Sequence, residues 1–180
     1  MFLFFLVPYL IVKYYFKGDF RDYGLRWGNK KLGLSLTIII IPILLIVAIF
    51  ASQDPVMQAE YPLTKLIGTN WLIFIYYEAL YFFYFYAYEV TMRGYLQFGL
   101  RRKKTTIKGI IIILVIQTVI TTLYHIGKAI SEITLSLVMG PLLGYAALKL
   151  DFIWYGMILH SIVNLFNDFL ILYWLHMLPA

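Results

Sequence analysis

Long apolar stretches alternate with short polar connectors along this chain, and the pattern predicts helices over about 2–16, 34–51, 66–100, 106–124, 131–148 and 152–174. Most of these runs hold 17 or more apolar-dominated residues, roughly the number that crosses a bilayer core at 1.5 Å per residue. The first run is short and carries Pro8; the second carries Pro42, a candidate kink. The connector 17–31 is broken by Gly18, Gly24 and Gly28, and the loop 52–65 holds Asp54, Pro55, Glu60 and Pro62. The expected architecture is all-α: a polytopic transmembrane bundle of about six helices. It forms a single transmembrane domain over 1–180, with the polar side chains of interest within about 70–170 and N-terminal helices and connector over 1–65.

Composition agrees. Hydrophobic residues make up 62% of the chain and charged residues 13%, and the mean hydropathy is +0.82. The net charge is +6, but the positive side chains sit in connectors: Lys17, Arg21, Arg26, Lys30 and Lys31 in one, Arg101, Arg102, Lys103, Lys104 and Lys108 in another. Such clusters set topology and meet anionic lipid, so the lipid bilayer is the expected partner and nucleic acid is not. Both connectors are expected on the cytoplasmic side, with 52–65 outside. If six helices span, both termini also face outward; if 2–16 does not span, the N-terminus is cytoplasmic. Residues 1–15 lack a charged leader and a small-residue cleavage site and read as a retained anchor. With no cysteine, disulfides, thiolate metal sites and cysteine nucleophiles are excluded.

A few polar groups lie inside the apolar runs, where each is costly unless it meets a partner or a hydrated pocket. Glu89 and Arg93 are four residues apart, on one helix face and in the favourable order for an ion pair. Glu78 shares that face about 16 Å away, too far for the same centre. Gln117, Thr121 and His125 form a polar stripe spaced by four. Glu132, just beyond, either caps the next helix or orients the His125 imidazole. Gly140 and Gly144 flank Pro141 in a close-packing pattern. His160, Asn164 and Asp168 form a second stripe. His176 reads as interfacial.

Taken in order, Glu89-Val-Thr-Met-Arg93-Gly94, then His125 after an apolar helix, then His160-Ser-Ile-Val-Asn164, the chain resembles the CPBP family of intramembrane proteases, which includes the CAAX prenyl endopeptidases. Asp22-Tyr-Gly-Leu-Arg26 is similar to that family's segment before its core. One position departs: the family's paired glutamates are here Tyr88-Glu89, so the first carboxylate is missing, and either Glu89 takes the base role, or Glu132 supplies a carboxylate, or the chain is a non-catalytic relative.

The resemblance implies an intramembrane endopeptidase acting on a membrane-associated peptide or protein, in a multi-pass protein of a prokaryotic cell membrane. Its expected catalytic residues are Glu89, Arg93, His125, His160 and Asn164. Glu89 would serve as general base, the histidines would hold the water or polarise the carbonyl, and Asn164 would donate to the oxyanion. Either no cofactor is needed, or zinc is held by His125, His160 and Glu89; the absence of a His-Glu-x-x-His motif favours the first. Two other classes stay open. One is a catalytically silent relative acting as a bacteriocin-immunity or partner-binding membrane protein. The other is a small transporter with a Glu/His proton relay, for which no repeat halves are visible.

Overall fold

The computed structural model describes residues 2–102 and 104–179; Met1, Lys103 and Ala180, and with Lys103 part of the basic run 101–104, lie outside the described residues. Seven α-helices are described: α1 Phe2–Leu10, α2 Lys30–Ala51, α3 Pro55–Glu60, α4 Trp71–Glu89, α5 Ile107–Tyr124, α6 Ile130–Leu150 and α7 Trp154–Trp174. No strand occurs among the described residues. The chain is an all-helical membrane bundle. Four helices, α2, α5, α6 and α7, are long and apolar enough to cross a membrane.

Helix boundaries follow capping chemistry. Asn29, Asp54, Asn70 and Thr106 each accept a hydrogen bond from a backbone N–H of the helix they open. Asp54 followed by Pro55 at the first helical position starts α3 inside what hydropathy alone reads as a loop. The run expected as one helix over 66–100 has three parts. A short 3₁₀ turn, Lys65–Gly68, precedes α4, and α4 passes at Glu89 into a π-helix, Val90–Phe98. The first segment likewise turns from α1 into π-helix at Ile11–Tyr15.

Packing assigns faces. On α2, Gly33, Thr37, Leu44 and Ala48 are buried on one stripe, while Ile38, Ile39, Ile43, Ile46 and Phe50 face outward toward lipid. Leu44 packs with Leu143 of α6 and Leu159 of α7. Phe5 of α1 packs on Val90, Phe98, Ala147 and Ile153, and the Thr91 hydroxyl donates to the Phe4 carbonyl, so α1 lies against the π-helix.

Charge ties one end of the bundle together. Asp151, in the α6–α7 turn, pairs with Arg26 of the first connector and at 2.7 Å with Arg101 of the connector after the π-helix. The two basic connectors therefore share one end, as the charge pattern predicts. Gly24 sits here with φ +81°, its carbonyl accepting from Ile153 N–H; a Cβ would strike Phe98 and Ile153. At the other end, residues 52–68 fold over the bundle, held by Trp174 Nε1 donating to Ser52 Oγ at 3.1 Å and by Tyr61 reaching Glu132.

Candidate active site

Helices α2, α4, α5, α6 and α7 and the π-helix surround a cavity of about 570 Å³. Tyr88, Arg93, Thr121, His125, Glu132, His160 and Asn164 reach its wall, with Met57, Tyr61 and Leu63 lining it at the end away from the two basic connectors. Most of the remaining lining is aliphatic or aromatic, the mixture expected of a site that binds an apolar chain and a few oriented polar atoms.

The floor is built where α4 becomes π-helical. Glu89 is fully buried, Arg93 nearly so, and the two form an ion pair. Their mutual charge offsets a burial that neither could sustain alone. The wider π turn, a deformation common at functional positions, carries Arg93 and Gly94 past Glu89. His160 of α7 completes the floor: its Nδ1 lies 2.7 Å from Glu89 Oε1. The ring N–H does not point along that line, so this is a close polar contact and not an aligned hydrogen bond. The His160 ring stacks on Phe85 at 5.3 Å between centroids and meets Tyr88 edge-on at 5.8 Å. Nδ1 turned to Glu89 leaves Nε2 for the cavity.

Gly156, one turn before His160, makes room for this carboxylate. A Cβ there would lie 2.7 Å from Glu89 Oε2 and 3.1 Å from its Cδ. The sequence reading passes over Gly156, because its need for glycine arises only from α4 lying across it.

The second imidazole stands at the outer wall. His125 follows the last residue of α5, and its Nδ1 lies 2.7 Å from the Thr121 carbonyl oxygen. Gln117 Nε2 donates to Thr121 Oγ1 at 2.7 Å, so the stripe spaced by four is a hydrogen-bonded column facing inward. His125 Nε2 is 3.6 Å from Glu132 Oε1. Glu132 also accepts from Tyr61 OH at 3.1 Å and pairs with Lys128 at 3.2 Å; Lys128 in turn reaches Glu60 at 3.0 Å. Tyr61 and Glu60 are missed from sequence because they lie about 70 residues from their partners. Lys128 lies outside the spanning helices. Burial opposes its charge, but Glu132 and Glu60 outweigh that and hold its ammonium above the ordinary lysine value.

The structure thus brings Glu89, Arg93 and His160 into contact and sets His125 apart from them. A series of ring contacts, His125–Tyr124 at 5.8 Å, Tyr124–Tyr88 at 5.9 Å and Tyr88–His160 at 5.8 Å, joins the two imidazoles. Asn164 reaches the cavity, but its Nδ2 sits 3.5 Å from Glu78 Oε2 and 3.4 Å from Asp168 Oδ2. Glu78, Asn164 and Asp168 form a separate buried cluster, away from Glu89 as the helical rise requires. Among the described residues no three His, Cys, Asp or Glu side chains converge closely enough to hold a metal ion. The donor set Glu89, His125 and His160 does not fit zinc in this arrangement, since His125 is held at the outer wall by Thr121 and faces Glu132.

Neither a curated protein nor a solved structure matches the chain. A family model described as type II CAAX prenyl endopeptidase Rce1-like matches residues 69–166, more than half the chain. The matched stretch contains Glu89, Arg93, His125, His160 and Asn164, the residues that build or line the cavity. The chain belongs to the Rce1-like type II CAAX prenyl endopeptidase family, a family of intramembrane endopeptidases.

Proposed function

We propose that this protein hydrolyses peptide bonds of membrane-associated substrates inside the cavity, from within a cell membrane whose cytoplasmic face carries the two basic connectors. One observation carries the reading: two imidazoles, each beside a carboxylate, line a single cavity with Arg93 and Asn164. Peptide hydrolysis needs a water deprotonated as it attacks, donors for the oxyanion that forms, and a proton for the departing amine. Arg93 presents positive charge and His160 its Nε2 toward the cavity, while the Asn164 amide is engaged by Glu78 and Asp168 at 3.5 and 3.4 Å. Glu89 has no exposed surface and is absent from the cavity wall. It serves as a positioning residue, acting through His160 and Arg93 and not directly on water as its sequence position suggests. The aliphatic and tyrosine lining holds the apolar part of the substrate; an S-farnesylated CAAX peptide is the probe that the family description recommends.

The test is cleavage of that peptide by purified protein in liposomes. Wild type releases the C-terminal fragment, and His125→Ala and His160→Ala do not. An intact peptide with wild-type protein overturns the reading.

A second reading rests on Tyr88, which fills the place of the first motif carboxylate: a non-hydrolytic, immunity-type protein that binds a partner in the same cavity. It predicts that protection or partner binding survives Glu89→Gln, whereas hydrolysis does not.

A further inference from the structure

The chain lacks a carboxylate at position 88, and Glu89 is sealed below the cavity. Glu132 is the carboxylate that reaches the cavity wall among the described residues. Its setting is specific. The atom facing His125 Nδ1 is a backbone carbonyl oxygen, 2.7 Å away, and a carbonyl only accepts. Nδ1 therefore carries the hydrogen, and the neutral ring's basic nitrogen is Nε2. That nitrogen faces Glu132 Oε1 across 3.6 Å, too far for a direct hydrogen bond. A water about 2.8 Å from each atom fits off that line, subtending an angle of about 80°. It would donate one hydrogen to Nε2 and one to Oε1, leaving its lone pairs turned to the cavity. That is the orientation a nucleophilic water needs.

The geometry points to Glu132 as the catalytic carboxylate of this chain: it holds the attacking water that His125 deprotonates, in place of the carboxylate missing at position 88. This inference rests on the hydrolytic reading above. In the step, the water oxygen bonds to the scissile carbonyl carbon while one of its protons passes to His125 Nε2. The carbonyl pair becomes an oxyanion on the cavity side of the attacking water. Collapse restores the carbonyl, breaks the C–N bond and returns the proton from Nε2 to the leaving nitrogen, giving one carboxyl and one amine. Glu132 accepts the second water hydrogen and stabilises the imidazolium between these events. Tyr61 and Lys128, both in contact with Glu132, fix its rotamer.

The experiment is steady-state cleavage of an S-farnesylated CAAX peptide by wild type, Glu132→Gln, Glu132→Asp, Glu60→Gln and His160→Ala, each with a thermal unfolding curve. Glu132→Gln is expected to lower kcat by about 10²–10⁴-fold with KM within about threefold, the range for disabling a positioned acid–base pair. Glu132→Asp, which keeps the charge and lengthens the gap, is expected to lose kcat by roughly tenfold at unchanged KM, and it carries the test should the glutamine variant fail to fold. Glu60→Gln breaks the other Lys128 bridge and is expected to leave kcat within about threefold of wild type, as a rim ion pair does. Wild-type kcat in Glu132→Gln or in Glu132→Asp overturns the inference, as does an equal loss in Glu60→Gln. A wild type that cleaves, dies with His160→Ala and survives Glu132→Gln removes this inference alone; a wild type that leaves the peptide intact removes the hydrolytic reading too.

Discussion

His160 Nδ1 lies 2.7 Å from Oε1 of Glu89, a carboxylate with no exposed surface. The cavity therefore meets an imidazole whose position is set from underneath. Arg93, paired with the same carboxylate, adds a cation to the wall. Three residues from two helices act as one unit, and removing one changes what the others present.

Breaking that unit exposes its energetics. Glu89→Gln leaves Arg93 charged and nearly fully buried without its counterion, a change expected to cost about 3–5 kcal/mol. The double variant Glu89→Gln/Arg93→Met is expected to recover most of that stability while remaining inactive. Thermal unfolding in detergent, combined as a double-mutant cycle, measures the coupling; additive effects would mean that the pair is not a unit.

Gly156 offers a gentler probe of the same contact. In Gly156→Ala a methyl would sit 2.7 Å from Glu89 Oε2, so the carboxylate must move and His160 with it. Cleavage is expected to fall by about 10²-fold, the scale of an ångström misplacement of a catalytic group. Initial rates on the farnesylated peptide check this, and an unchanged rate would mean that the Glu89–His160 contact does not matter to turnover.

These cases also show what the sequence can reveal. The helical runs, the Glu89/Arg93 pair, the inward column Gln117–Thr121–His125 and the shared end of the two basic connectors follow from spacing, hydropathy and charge. Helix α3 was not among these: 52–65 reads as a loop by hydropathy, although Asp54-Pro55 is an N-cap followed by a helix-starting proline. The π-helix at Val90–Phe98 was not legible, because its mixture of apolar residues with Thr91, Arg93, Gly94 and Gln97 suits an α-helical turn equally well. Nor was the role of Gly156, or the grouping of Glu60, Tyr61, Lys128 and Glu132, since each depends on segments distant in sequence arriving at one place. His125 and His160 line one cavity but make no ring contact with each other among the described residues; Tyr124 and Tyr88 link them.

Lys128 predicts a pH dependence. Its pKa in the folded chain lies above the ordinary 10.5 because Glu132 and Glu60 outweigh the effect of burial. A cation with a raised folded-state pKa contributes stability that is complete below the unfolded value and lost as pH rises through the folded one. The melting temperature of wild type is therefore expected to exceed that of Lys128→Met near neutral pH, and the difference to close as pH climbs above the ordinary lysine range. Paired unfolding curves from neutral to strongly alkaline pH check this; a constant difference would contradict the assigned coupling.

Asp151 predicts a change at the opposite end. It holds Arg26 and Arg101 together, fastening the connector over 17–29 to the bundle. Asp151→Asn is expected to expose that connector to trypsin at Lys17, Arg21 and Arg26 several-fold faster, with little change in global melting, because these ion pairs are partly exposed. Time-resolved digestion followed by mass spectrometry reads the outcome, and an unchanged cleavage rate would count against the tether.

The central claim is that water admitted to this cavity cleaves a peptide bond. Wild-type protein in liposomes, incubated with an S-farnesylated CAAX peptide in ¹⁸O-water and analysed by mass spectrometry, tests it most directly. The account predicts release of the C-terminal fragment and one ¹⁸O in the new carboxyl group, both abolished in His125→Ala and in His160→Ala. An uncut peptide with wild type, or equal labelling with both alanine variants, would contradict it.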